Sequence, residues 1–178
     1  KKPKKKPNIT ELDKILIGYV DFLTYNADAC YSEYDFHKPA HELRYFLWEH
    51  FASHYLELVK NRAYNQEKQF SEAENASACH TLYYALERII VLLYPIIPQI
   101  TSVLAHELRI DLSQEFPQGK NDERSSLNIL NDIATFNSLI WKTKKDKGIS
   151  LREPLTGIEI PQALQAFEKD IRACHNLQ

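Results

Sequence analysis

From Leu12 onward, apolar residues recur at steps of three and four. Leu12, Ile15, Leu16, Tyr19, Phe22, Leu23, Ala27, Cys30 and Tyr34 make one stripe, the mark of an amphipathic helix. Thr10 is placed to cap it, and Glu11 and Asp13 suit the positive end of its dipole. Asp35 to Lys38 reads as a turn, and Pro39 suits the first position of a second helix. There Leu43, Phe46, Leu47, Phe51, Tyr55 and Leu58 form the stripe. Tyr45, Trp48, Ala52 and Val59 widen it, which predicts burial against more than one neighbour. This helix should end near Tyr64, and the short connection makes the two helices antiparallel.

The periodicity resumes after a polar loop at 65–71. A third helix is expected from Ser71 to Tyr94, with Ala76, Cys79, Tyr83, Leu86, Ile90 and Leu93 inward; Pro95 and Pro98 interrupt it. A short helix should run from Pro98 to Leu108. Residues 110–124, with Pro117 and Gly119, read as an exposed loop. A long helix follows over 125–148, on the stripe Leu127, Leu130, Ile133, Phe136 and Ile140, with Gly148 as its stop. Ile158 and Ile160 suggest a short extended piece within 149–160, and Pro161 opens a last helix to about His175. The expected fold is an all-α antiparallel bundle of five to six helices. A basic linker covers 1–9, and the bundle covers 10–178. The bundle divides into core helices at 10–109, the loop at 110–124, the long helix at 125–148 and a C-terminal segment at 149–178.

Composition agrees with this. At 178 residues, with 44% hydrophobic residues and only 4 glycines, the chain suits one helical domain and not a glycine-rich phosphate-loop fold. Its longest apolar run, Ile89 to Tyr94, is far short of a membrane span of about 20 residues. Three isolated cysteines without a CxxC pair exclude a disulfide framework and point to a reducing, cytoplasmic setting. The absence of Met and a start at Lys1 predict a piece of a larger polypeptide. Five of the 22 basic residues fall in the first six positions, against 24 acidic residues, so the body is acidic. A polyanion would therefore need a local basic patch.

No catalytic constellation is present. Phosphate-loop, dinucleotide and nucleophile-elbow motifs are missing, and so is the ExxH pair of a di-iron bundle. His37/His41 and His50/His54 stand at i,i+4, a spacing able to hold a metal, but further ligands are lacking, so no metal site is expected. Glu57 reads either as a buried partner for Lys60 or Arg62, or as half of an exposed ion pair.

Two surfaces carry recognition chemistry. Lys142, Lys144, Lys145 and Lys147 close the long helix beside Trp141; they serve either the helix dipole or an RNA phosphate. Tyr31, Tyr34, Phe36, His37 and Lys38 cluster between the first two helices, with Arg44 one to two turns on. Phe36 either packs back as a hydrophobic staple or offers a stacking platform to an unpaired base.

Four stretches give these residues a family context. The run from Trp48 through Phe51, Tyr55, Glu57, Val59, Lys60 and Arg62 to Tyr64 resembles the pattern W-x-x-F-x-x-x-Y-x-E-x-V-K-x-R-x-Y of valyl class I aminoacyl-tRNA synthetases. Thr10 to Lys14 resembles the start of their anticodon-binding domain. Leu92 to Thr101 is similar to their L-x-P-x-x-P-x-I-T element, and Lys144 to Leu155 to K-x-x-x-G-x-S-L-x-x-P-L. The chain departs from the family at Ser53-His54 and at Tyr19. The resemblance implies an all-α anticodon-binding domain whose partners are a tRNA, a valine acceptor, and a catalytic domain of the same polypeptide. It implies no DNA or membrane partner. The HIGH and KMSKS signatures are absent, so the chain itself should not activate an amino acid and should need no cofactor. The parent ligase would use ATP and Mg. An isoleucyl or leucyl relative, or a helical scaffold without RNA, are the alternatives. RNA contacts would fall to Phe36, His37, Lys38, Arg44, Lys142, Lys144, Lys145 and Lys147.

Overall fold

The computed structural model describes residues 7–121 and 124–178. Lys1 to Lys6, most of the expected basic linker, lie outside the described residues. Helix α1 is Glu11–Ser32. The next rod, α2 (residues 37–64), is continuous: α-helical over His37–Tyr45, π-helical over Phe46–Tyr55 and α-helical again over Leu56–Tyr64. Helices α3 (Glu72–Leu93), α4 (Pro98–Leu108) and α5 (Arg124–Asp146) follow. A 3-10 turn at Gln162–Phe167 leads into α6, Glu168–His175. The all-α expectation holds. The extended piece expected at 149–160 does not form; the only pairing among the described residues is an isolated parallel bridge between Leu155 and Leu177. No described helix is long and apolar enough to cross a membrane.

Helices α1 and α2 lie antiparallel, since Asp13 meets Tyr55 and Arg62 while Tyr19 meets Phe46 and His50. Their facing stripes supply much of the core, which α3 and α5 close on either side. The expected α1 stripe is buried from Leu12 to Ala27 except for the half-buried Ile15, but Tyr34 lies beyond the helix and is 84% exposed. Thr10 occupies the N-cap position without capping. Its hydroxyl instead accepts from Arg62 Nη1 at 2.9 Å.

On α2 the buried positions are Pro39, Leu43, Phe46, His50, Tyr55, Leu58, Val59 and Arg62. The step of five from His50 to Tyr55 is what the π-helical turn accommodates, since its hydrogen bonds run from i to i+5. Tyr45, Trp48 and Ala52, expected to widen the core stripe, lie on the outside. Ser53 Oγ donates to the carbonyl five residues back, Trp48 O, at 2.6 Å. The Glu57 alternative resolves to an exposed pair with Lys60.

Helix α3 begins with a reciprocal capping box. Ser71 Oγ accepts from Glu74 N, and the Glu74 carboxylate accepts from Ser71 N. Its buried face is Ser77, Ala78, Thr81, Ala85, Ile89, Ile90 and Leu92, rotated from the expected one, of which only Ile90 is fully buried. Small and hydroxyl residues face inward because α1 and α2 approach closely here, and Thr10 N donates to Ser77 Oγ at 3.0 Å.

Two glycines set the approach of α5 and its leading loop to α1. A Cβ on Gly18 would stand 2.9 Å from Ser126 Oγ. The 110–121 loop is not free in solvent as expected. Phe116 packs edge-on against Tyr31, Lys120 N donates to Asp21 O at 3.2 Å, and a Cβ on Gly119 would collide with the backbone of Asp21 and Tyr25. Gly119→Ala should therefore push the loop off α1 and lower stability by about 1–3 kcal/mol, read as a fall in the urea midpoint. An unchanged midpoint would contradict the loop's docking.

Candidate functional site

The turn between α1 and α2 is built outward from Tyr31. Its hydroxyl donates to Leu92 O at 2.7 Å, and its ring receives Phe116 on one side and Phe36, at 5.5 Å, on another. Phe36 is thereby anchored yet remains 42% exposed. The ring packs back on Tyr31, as the staple reading expects, and part of it still faces water. Asp35 Oδ1 accepts from the backbone N–H groups of His37 and Lys38 at 3.0 and 3.2 Å, fixing the first turn of α2. The side chains of His37, Lys38 and Arg44 are exposed. Tyr34, in the left-handed region at φ 60°, stands beside them.

The lysine cluster divides. Lys144 is fully buried, and its Nζ donates to Leu151 O, Glu153 O and His175 O at 2.8, 2.6 and 2.7 Å. All three ammonium protons are used, so it has none left for a phosphate, and the expected contact there is corrected. Lys144 instead clasps the segment after α5 to the end of α6. Burial lowers its pKa from the usual lysine value. Lys142, Lys145 and Lys147 are exposed. Lys142 and Lys145 border a cavity of about 640 Å³ with Trp141, Ile149, Ser150 and Leu151.

The sequence reading gave no role to the histidines beside this cavity. The His54 ring stacks on Trp141 at 5.3 Å, and His175 meets the same indole edge-on. His175 Nε2 hydrogen-bonds Asn137 Oδ1 at 2.7 Å. Burial, with Lys144 nearby, pushes His175 down to about 4; burial also lowers His50 and His54. Among the described residues no group of three His, Cys, Asp or Glu is placed to hold a metal ion.

These groups give two checks on stability. Lys144→Met leaves three inward carbonyls without a donor and should cost roughly 3 kcal/mol, seen as a lower urea midpoint; wild-type stability would contradict the clasp. His175 is held neutral in the fold, so its contribution is complete above its unfolded value of 6.5 and is lost as pH falls toward about 4. At about 1.4 kcal/mol per pH unit, wild type should lose on the order of 3 kcal/mol relative to His175→Gln across that window. Asp170, raised by burial to about 6, acts in the opposite sense in both proteins and cancels in the comparison. Parallel pH profiles for the two proteins would refute the assignment.

Comparison with known proteins places this geometry in a family. Residues 13–160 match the family model for the anticodon-binding domain of tRNA ligase. Similar proteins include the valine–tRNA ligases of Pyrobaculum aerophilum (31% identical, 98% of this chain and 22% of that protein) and Aeropyrum pernix (33%, 93% and 21%). That of Nanoarchaeum equitans is 34% identical over 96% of this chain and 22% of its own length. The chain spans about a fifth of the length of these relatives.

Proposed function

The chain belongs to the family of anticodon-binding domains of tRNA ligases, and from that premise we propose that it binds a tRNA anticodon stem-loop, that of a valine acceptor. The catalytic part, using ATP and Mg, lies elsewhere in the same cytoplasmic polypeptide. The observation that carries the reading is the half-exposed Phe36 ring held on Tyr31 among exposed His37, Lys38 and Arg44. Specific RNA recognition targets unstacked loop bases, which rings accept by stacking and cations secure through the flanking phosphates. Phe36 is pre-positioned by Tyr31, so little ordering cost falls on binding. The exposed Lys142, Lys145 and Lys147 supply contacts to the backbone that are independent of sequence.

Fluorescence anisotropy with a labelled valine anticodon stem-loop, beside one with an altered middle base, tests this. Phe36→Ala should weaken the matched loop by about 1–3 kcal/mol and narrow the gap between the two loops. Changing Lys142, Lys145 and Lys147 together to Ala should weaken both loops alike and flatten the salt dependence, by about 0.7 in log–log slope per lost single-strand contact. Matched-loop affinity unaffected by Phe36→Ala would sink the stacking role. No binding by wild type at low salt would favour a helical scaffold.

A further inference from the structure

A cleft between α2 and α5 lies apart from the two surfaces just described. On α5 the positions Asn131, Thr135, Ser138, Lys142 and Lys145 recur at steps of four and three, so they share one face, opposite the buried Leu130, Ile133, Phe136 and Ile140. On α2 the exposed face runs from His37 through His41, Arg44 and Tyr45 to Trp48, which is 73% exposed. Between these faces lies a cleft of about 530 Å³ whose walls include Tyr45, Glu49, His50, Asn131, Thr135 and Ser138. It reaches His54, and the His54–Trp141 stack separates it from the lysine-bordered cavity.

His50 is the group that asks for a ligand. It is 3% exposed, it sits in the π-helical stretch, and neither ring nitrogen has a hydrogen-bond partner among the described residues. A buried polar group left so is costly, and a π-helical turn often marks a functional site. The Tyr45 ring, itself half exposed, covers the imidazole edge-on at 5.4 Å. Both rings line the cleft. Burial lowers the imidazole below its usual value and so keeps it neutral at pH 7; it offers one donor and one acceptor, and the hydroxyls and amide on the opposite wall likewise both donate and accept. Beside the Glu49 carboxylate, an acceptor that repels anions and suits an exocyclic amine, these uncharged donors and acceptors suit the edge of a flat heterocycle better than a phosphate.

We infer that this cleft accepts a second unpaired nucleobase of the bound RNA, apart from the one at Phe36. His50, Asn131 and Thr135 address the edge of that base, Tyr45 offers a ring for stacking, and Lys142 and Lys145 hold the neighbouring phosphates. The inference rests on the RNA-binding reading above and extends it from the turn to the cleft.

The test uses the valine anticodon stem-loop and a set in which each loop nucleotide in turn is abasic. Wild type should lose roughly tenfold in affinity at two separate loop positions. Ser138→Trp, a surface change that fills the cleft, should lose roughly tenfold for the intact loop and become indifferent to one of those positions. Phe36→Ala should become indifferent to the other. His50→Phe keeps the ring but removes both nitrogens; it should raise the melting temperature while weakening the intact loop severalfold, a pairing that a purely structural histidine would not give. If Ser138→Trp and His50→Phe bind the intact loop like wild type while Phe36→Ala does not, the cleft proposal is overturned and the turn stands. Absence of any binding by wild type removes both.

Discussion

The guanidinium of Arg62 lies at the meeting point of four helices with almost no exposure. Its Nη1 and Nη2 engage both oxygens of Asp13 on α1 at 2.8 Å, and its Nε donates to Asp170 on α6 at 2.8 Å. Asp13 is itself fully buried and also accepts from the Tyr55 hydroxyl at 2.6 Å and from Ser77 on α3. Helices α1, α2, α3 and α6 are thus tied to one cation. Such a cluster contributes little net stability against a well-packed apolar alternative, because desolvation consumes most of the attraction. Its consequence is directional. Only one register of α1 against α2, and one seat for α6, satisfies all of these groups, and removing any partner strands a buried charge. Two carboxylates share one guanidinium, and Asp13 takes its fork. Burial therefore raises Asp170 to about 6, even with Arg62 pulling the other way.

The register set at the base dictates what reaches the surface above it. With Asp13 and Arg62 locked, Tyr19 falls opposite Phe46 and His50. A regular α-helix would not carry both His50 and Tyr55 inward. The π-helical stretch resolves this, with Tyr45 and Trp48 on the outside and Tyr45 beside the cleft against α5. The Lys144 clasp acts similarly beyond the cleft. By spending one lysine on three carbonyls, it fixes the chain after α5, so that Ile149 to Leu151 form a wall beside Lys142 and Lys145.

Much of the bundle was legible because helix periodicity and breakers are local signals. The short helix Pro98–Leu108 falls where the prolines put it, and α5 keeps its expected stripe. Periodicity misled where a buried polar residue replaced an apolar one. Arg62, Asp13, His50 and Lys144 look like surface residues in sequence, because nothing local announces a partner dozens of residues away. On α3 the inward face is made of Ser77, Ala78, Thr81 and Ala85, chosen for close approach, while larger Leu86 stays outside; a reading that ranks residues by hydrophobicity picks the wrong side. The loop before α5 looked free because the signal that docks it is the lack of a side chain at Gly119.

The candidate site shows the same division at finer scale. Phe36 was visible as a large ring in a turn flanked by cations, a chemical anomaly that needs no tertiary knowledge. The lysine run was visible too, but sequence treats four lysines as equivalent when only their positions on α5 distinguish them. Lys142 and Lys145 continue the Asn131, Thr135 and Ser138 face toward solvent, whereas Lys144 lies on the buried side with Asn137 and Ile140. The same hundred-degree step per residue that hides Lys144 sets its two neighbours on the open face. A basic cluster in a helical protein is therefore not one site but a sorting of charges by face, and the fold decides which lysines hold the chain together and which are left to meet a partner.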